Sequence, residues 1–178
     1  LAALEVSGSY WQTSPYWPGV GQGIITASKQ LGLEGVVAKK LDSPYEPGKR
    51  SGAWLKIKNI KRQELVIGGW LPMTGHAETV GAILVGYYEN DKLIYAGKVG
   101  TGFPAPFLAR LREAFSVLQR PDSPFATKIP YKKARFVEPV LVAEVEFTEW
   151  TPQGTLRHPA FKGLRPDKDP RDVVREDL

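Results

Sequence analysis

Three short segments carry residues whose types and spacing suit chemistry at a phosphate group. Residues 34–39 (EGVVAK) place a carboxylate at the start of a β-rich run. Residues 49–58 (KRSGAWLKIK) end in an alternating pattern that predicts Lys56 and Lys58 on the same face of a strand. Residues 161–168 (FKGLRPDK) end in an arginine, an aspartate and a lysine close together.

Group transfer at phosphorus requires a protein to neutralise charge on phosphate oxygens. Lys56 and Lys58 would hold two ammonium groups against one phosphate, and Arg50 offers a planar guanidinium fork that suits a ribose or phosphate contact. Glu34 would supply a carboxylate for the divalent cation that such a site needs. The residues therefore favour a phosphate-binding site.

The residues alone leave simpler interpretations open. Glu34 would also serve as a strand-end acid paired with a neighbouring lysine, and Lys56 and Lys58 as the solvated face of an edge strand. The group Arg165, Asp167 and Lys168 would also form a salt-bridged turn before a terminal helix. Trp54 is expected to pack rather than to stack on a base. His76 and His158 lack metal-ligand spacing and are expected to be surface or structural residues.

The excess charge of the chain is local. The formal net charge is +5, and the stretch from position 29 to 62 alone carries +6, because it holds nine basic residues and three acids. A concentrated basic surface favours a phosphate-bearing partner, although a solvated lysine-rich face has the same composition. We call the nine the basic stripe: Lys29, Lys39, Lys40, Lys49, Arg50, Lys56, Lys58, Lys61 and Arg62.

Composition excludes several classes of function. The 178 residues contain no cysteine, which rules out disulfides, thiolate metal sites and cysteine nucleophiles and is compatible with a cytoplasmic location. No apolar run approaches the roughly 18 residues of a membrane span, and no secretory leader is visible, so we expect no membrane partner. The chain starts at Leu1 and has Met73 as its single methionine, so we expect it to be a piece of a longer protein.

The elements that must position these residues are mostly strands. The pattern predicts a helix at 24–31 that stops at Gly32, strands at 34–40 and 54–58, and a turn between them. From about residue 61 it predicts further strands, a helix and a short terminal helix, which together outline a five-stranded OB barrel. The first predicted features are strand 64–71, with a bulge or sharp bend at Gly68-Gly69, and hairpin 82–88/92–99. A helix should start near Pro104 and Pro106, with one apolar face formed by Leu108, Leu111, Phe115 and Leu118. Strand 140–149 should direct Leu141, Ala143, Val145 and Phe147 inward and Glu144, Glu146 and Thr148 outward; strand 156–164 and a helix opened by Asp169-Pro170 should follow.

In order and wording, the three segments resemble nucleotidyltransferase motifs IV, V and VI of the ATP-dependent DNA ligases. The wording is nearest to that of the bacterial end-joining (ligase-D-like) type, in which EGVVAK, SPY-x-PG-x-RS and WLKIK occur together. The resemblance extends from about Gly32 to Asp169, with Tyr45 and Arg50-Ser51 in place between the first two motifs. It implies an enzyme that seals breaks in duplex DNA during repair, recombination or replication through lysine–AMP and DNA–adenylate intermediates.

The resemblance also implies roles for individual residues. Glu34 would lie near AMP and the metal, with Arg50 lining the nucleotide site, and Lys56 and Lys58 would contact the α-phosphate. Motif VI would orient the pyrophosphate leaving group through Arg165, Asp167 and Lys168. The nucleophilic lysine of the family lies in a Lys-x-Asp-Gly motif, and no such tetrapeptide occurs in these residues, so we expect the chain alone not to adenylate itself.

The expected architecture is α+β and mostly β. Residues 1–60 would form the C-terminal portion of a nucleotidyltransferase (ATP-grasp-like) domain, and residues 61–178 an OB-fold domain. ATP, Mg²⁺ or Mn²⁺, nicked or broken duplex DNA and end-joining or repair proteins are the implied cofactors and partners. Two alternatives stay open: an RNA ligase or capping-type nucleotidyltransferase, and a non-enzymatic OB module that only binds nucleic acid.

Overall fold

The computed structural model describes residues 7–12, 15–19, 21–49, 51–104 and 106–176. The chain divides into two units, residues 1–59 and 60–178. The described part of the first unit contains β1 (Ser7–Gly8), β2 (Trp11–Gln12), α1 (Gln22–Gln30), β3 (Gly35–Lys39) and β4 (Trp54–Lys58). In it, β1 pairs antiparallel with β2, and β3 with β4.

The main elements of the first unit form where the sequence predicts them. Helix α1 begins two residues before the predicted segment 24–31 and ends one residue before its end. Strand β4 coincides with the predicted alternating run, and β3 lies within the predicted strand 34–40. Residues 42–48 form neither helix nor strand, as their proline and glycine content predicts.

The second unit follows the strand order of an OB barrel. It contains β5 (Lys61–Met73), β6 (His76–Glu89), β7 (Lys92–Val99), α2 (Phe107–Val117), β8 (Gln119–Arg120), β9 (Arg135–Phe147), β10 (Glu149–Trp150), β11 (Leu156–Arg157), β12 (Ala160–Leu164) and a 3-10 helix at Pro170–Asp172. Paired strands follow the order β12–β9–β5–β6–β7, and β8 pairs with β9. The N–H of Phe161 in β12 donates to the carbonyl of Thr101, just after β7, at 2.9 Å, which joins the two ends of this path. A five-strand path of this order with a helix before its fourth long strand is the OB fold.

Helix α2 packs on the barrel through its predicted apolar face. Leu111 and Phe115 are 2% and 1% exposed, and Phe115 stacks on Trp70 with 6.3 Å between ring centroids. Val117, on the opposite side of the same helix, is 86% exposed. The predicted helix and its core-facing side are therefore confirmed.

Glu78 of β6 connects three elements of the second unit. Its carboxylate accepts hydrogen bonds from Arg112 of α2 at 2.6 Å and from Arg135 of β9 at 2.9 Å. Both guanidinium groups lie over the ring of Trp70, 5.2 and 4.9 Å from its centroid. The hydrogen bonds from Arg135 and then Arg112 lower the pKa of Glu78 to about 2.

The strands around the barrel bear out two further predictions. The register of β5 shifts between Ile67 and Gly69 against both of its neighbours, which confirms the predicted bulge. Strands β6 and β7 form the predicted hairpin, and its tip, Asn90-Asp91, has φ angles of 49° and 59°. These left-handed angles are those of the tight turns that match the twist of paired strands.

Two predictions for the C-terminal strands are wrong. Thr148, expected to face outward, is 8% exposed. It lies between β9 and β10 rather than within one strand, so the alternation of side chains does not continue through it. Its hydroxyl donates to the carbonyl of Arg157 at 3.1 Å. The single strand predicted at 156–164 is two strands, β11 and β12. His158 between them has a φ of 52°, which no strand adopts, and Pro159 has no N–H for a strand ladder.

Candidate functional site

The segment that carries Glu34 leaves α1 through a defined helix end. The N–H of Gly32 donates to the carbonyl of Lys29 at 3.0 Å, and the N–H of Leu33 to that of Ser28 at 2.9 Å. Gly32 has a φ of 65°, a left-handed angle at which glycine is favoured. This turn directs the chain out of the helix and places Glu34 immediately before β3.

The register of β3 and β4 places the predicted lysines on one face. Lys56 lies opposite Val37, and Lys58 lies opposite Gly35. Because side chains alternate along a strand, Trp54, Lys56 and Lys58 share a face of this two-stranded ribbon. The shared face that the sequence predicts is therefore confirmed by the strand, and all three side chains are exposed.

Gly35 allows β3 and β4 to approach closely at this point. A Cβ at position 35 would lie 2.1 Å from the carbonyl oxygen of Ile57 and 2.8 Å from the Cα of Lys58. The φ of Gly35, 153°, is also one that L side chains rarely adopt. Glycine is therefore required at this position, directly opposite Lys58.

Glu34 and Lys56 are brought together as an ion pair. The Nζ of Lys56 lies 2.7 Å from Oε1 of Glu34, and the two side chains are 51% and 48% exposed. An exposed pair of this kind contributes only about 0–1 kcal/mol to stability. Its main consequence is positional, because it holds one ammonium and one carboxylate side by side on the face that also carries Lys58.

Trp54 has aromatic and cationic neighbours next to the two lysines. The ring centroid of Tyr45 lies 5.9 Å away, and Nζ of Lys39 lies 4.1 Å from the ring centroid of Trp54. Trp54 therefore packs against side chains of its own unit, as the sequence leads us to expect.

Two buried polar residues that lie next to the ion pair were not identified from the sequence. Asn59 is 7% exposed, and Ser28 is 3% exposed. The side-chain Nδ2 of Asn59 donates to Ser28 Oγ at 3.0 Å and to the carbonyl of Leu33 at 2.8 Å. The backbone N–H of Asn59 donates to the carbonyl of Glu34 at 2.8 Å. The available signal was weak, because an asparagine after a strand usually marks an exposed turn.

Arg165 of the second unit is held by two carboxylates. Its Nη1 lies 2.5 Å from Oε1 of Glu64 in β5, and its Nε and Nη2 donate to the carboxylate of Asp167 at 3.0 and 2.8 Å. The pair with Arg165 lowers the pKa of Asp167 to about 2, and Asp167 in turn raises the pKa of Arg165. These contacts attach the turn after β12 to the barrel wall.

Lys168 closes the same turn and leaves its side chain exposed. Its N–H donates to the carbonyl of Arg165 at 3.2 Å. The carboxylate of Asp169 then accepts from the N–H of Arg171 at 2.9 Å and caps the 3-10 helix, so the predicted terminal helix is confirmed as a single turn. Arg50, which the sequence motifs assign to the nucleotide site, lies outside the described residues.

The described residues contain no cluster of three or more His, Asp or Glu that would enclose a metal ion. Mg²⁺ commonly keeps several waters and takes one or two carboxylates together with substrate phosphates. Glu34, a half-exposed carboxylate paired with Lys56, fits that mode of binding. No helix in the described ranges has the length and apolar character needed to cross a membrane.

Comparison with known proteins gives a consistent result along both units. Residues 76–168 match the family model of the ATP dependent DNA ligase C terminal region, and residues 22–58 match that of the ATP dependent DNA ligase domain. The chain is 45% identical over 163 residues to the multifunctional non-homologous end joining DNA repair protein LigD of Mycobacterium tuberculosis, covering 89% of this chain. It spans 22% of the length of that relative.

Two solved structures extend the comparison to three dimensions. The crystal structure of the ligase domain from M. tuberculosis LigD matches with a TM-score of 0.65 at 45% identity, over 89% of this chain and 53% of that one. A mycobacterial DNA ligase D complexed with ATP and MES matches with a TM-score of 0.60 at 45% identity, over 89% of this chain and 52% of that one.

Proposed function

Since the chain belongs to the ATP-dependent DNA ligases, we propose that it is the C-terminal part of an enzyme that seals nicks or breaks in duplex DNA. Residues 1–60 complete the nucleotidyltransferase domain, and residues 61–178 form the OB-fold domain. The substrates are ATP and nicked or broken duplex DNA. The end-joining names of its relatives support end-joining proteins as partners.

The observation that carries this proposal is the group formed by Glu34, Lys56 and Lys58. Sealing proceeds by three displacements at phosphorus. A lysine nitrogen attacks the α-phosphorus of ATP and pyrophosphate leaves; a DNA 5′-phosphate oxygen then displaces the lysine; finally the 3′-hydroxyl attacks the 5′-phosphorus and AMP leaves. Each step places negative charge on phosphate oxygens, which Lys56 and Lys58 neutralise from one face of the ribbon.

Glu34 is the residue that would hold a divalent cation, Mg²⁺ or Mn²⁺. When bound, such an ion supplies further neutralisation of the phosphate oxygens. Glu34 also pairs with the ammonium group of Lys56 at 2.7 Å. Arg50 completes the nucleotide contacts in this proposal.

The motif VI residues act in the first displacement, because only there does pyrophosphate leave. Asp167 and Glu64 hold the guanidinium of Arg165 in a fixed orientation, and Lys168 presents an exposed ammonium from the same turn. Arg165, Asp167 and Lys168 therefore form a rigid turn that orients the leaving group.

Two lysine substitutions in the intact ligase separate these roles by reaction step. Lys56→Ala should slow both self-adenylation and the sealing of a pre-adenylated nick, since the α-phosphate takes part in every step. Lys168→Ala should slow self-adenylation alone. The loss of one positioned charge donor reduces a rate on the order of 100-fold or more, which single-turnover assays resolve.

Lys92→Ala serves as the control, because Lys92 is an exposed lysine at the β6–β7 hairpin. It should match the unsubstituted enzyme in both assays. If Lys168→Ala slows the sealing of a pre-adenylated nick as much as Lys56→Ala does, the division of roles is wrong. Normal rates in both assays for Lys56→Ala would exclude the proposed phosphate site.

A further inference from the structure

We propose that Asn59, together with Ser28, is a positioning residue that fixes Glu34 beside Lys56. The inference rests on the function proposed above for that pair. Asn59 lies at the end of β4, immediately after Lys58, and is separated from Glu34 by 25 positions in sequence. Its role follows from the bonds that it makes across this separation.

Asn59 ties three points of the segment 28–34 to the end of β4. Its backbone N–H to the carbonyl of Glu34 adds one rung beyond the β3–β4 ladder. Its side-chain amide donates to the carbonyl of Leu33 and to Ser28 Oγ. The hydroxyl of Ser28 also donates to the carbonyl of Ile25 at 2.8 Å, so the linkage continues into the last turns of α1.

Apolar packing of the adjacent side chains does not explain how this segment is held. Leu31 and Leu33 are 73% and 53% exposed, whereas Asn59 and Ser28 are buried. Buried polar groups that bond to one another specify a single arrangement, since any shift leaves donors and acceptors without partners. The position of the Glu34 carboxylate relative to Lys56 therefore depends on these bonds.

A double-substitution cycle in the intact ligase tests this dependence. Asn59→Ala should slow the sealing of a pre-adenylated nick by about 10- to 100-fold, the range expected when a reacting group is displaced by a fraction of an ångström to an ångström. In a Glu34→Ala background the same change should slow it by less than about threefold, because residues that act through one another are not additive. The residual rates are measured with enzyme in excess over long incubations.

Ser28→Ala provides a milder variant in case Asn59→Ala does not fold. It removes one acceptor of the amide and should slow sealing by about threefold, again only when Glu34 is present. Ser116→Ala is the matched control, because Ser116 makes the same bond to the carbonyl three residues earlier, at 2.6 Å, in α2. It should seal at the unsubstituted rate.

Hydrogen exchange on the chain itself gives a readout that does not depend on catalysis. The amide of residue 59, which donates to Glu34, should exchange at least about 10-fold faster in Ser28→Ala or Asn59→Ala than in Ser116→Ala. Equal slowing by Asn59→Ala in both backgrounds, or unchanged exchange, would overturn the inference. A Glu34→Ala enzyme that seals normally would instead overturn the proposed function of the pair.

Discussion

The replacement of Gly35 by alanine should disable the ribbon without touching any charged group. The new Cβ would lie 2.1 Å from the carbonyl oxygen of Ile57, whereas real Cβ contacts are essentially never shorter than 3.0 Å. Strands β3 and β4 must therefore separate locally by at least about 0.9 Å. Ladder bonds of roughly 2.9 Å would then exceed the limit of a hydrogen bond.

A displacement of about 1 Å at a catalytic group lowers a rate about 100-fold. We therefore expect Gly35→Ala to slow the sealing of a pre-adenylated nick by about two orders of magnitude, measured under single turnover in the intact ligase. Gly52→Ala is the matched control, because Gly52 belongs to the same unit, has no atom within 4 Å of a built Cβ and has no positive φ. Sealing by Gly35→Ala within about threefold of Gly52→Ala would refute the reasoning.

Three further predictions follow from packing and charge. Phe115→Ala should lower the free energy of unfolding of the barrel by about 3–5 kcal/mol in urea denaturation. The control Val117→Ala, at an exposed position of the same helix, should change it by less than about 0.5 kcal/mol. Similar values for both variants would mean that α2 is not packed as described. The depressed pKa of Glu78 contributes stability that is present above about pH 4.5 and lost as the pH falls towards 2. The melting temperatures of the unsubstituted chain and Glu78→Gln should therefore differ at pH 7 and converge near pH 2, and a constant difference would argue against the ion pair. Duplex DNA binding by the chain should weaken with salt at a log–log slope of roughly −0.9 per phosphate contact of the basic stripe; a flat response would exclude phosphate contacts.

The sequence predicted those features that depend on local periodicity. Alternation over 54–58 placed Lys56 and Lys58 on one face because a strand has a fixed two-residue repeat. The apolar spacing of Leu111 and Phe115 likewise identified the buried side of α2, and Gly68-Gly69 marked the bulge. In each case a single element determines the outcome.

Features that depend on contacts between distant segments were not predictable in the same way. The buried Thr148 bonds to Arg157 across a short strand pair, and the buried Asn59 bonds to partners more than 25 residues away. The attachment of Arg165 to Glu64 spans 101 positions and has no signature in either segment. A polar residue at such a position looks the same in sequence whether it faces solvent or a partner.

Labelling at a chosen position, such as the tip of the β6–β7 hairpin, is straightforward because the chain contains no cysteine. Introduced thiols are therefore the only thiols among the 178 residues. Asn90 and Asp91 are unsuitable because of their left-handed φ angles, but the exposed Glu89 beside them has ordinary strand geometry. A fluorophore at Glu89→Cys and a second at Gly52→Cys would report the distance between the two units by energy transfer, in the presence and absence of nucleotide and DNA.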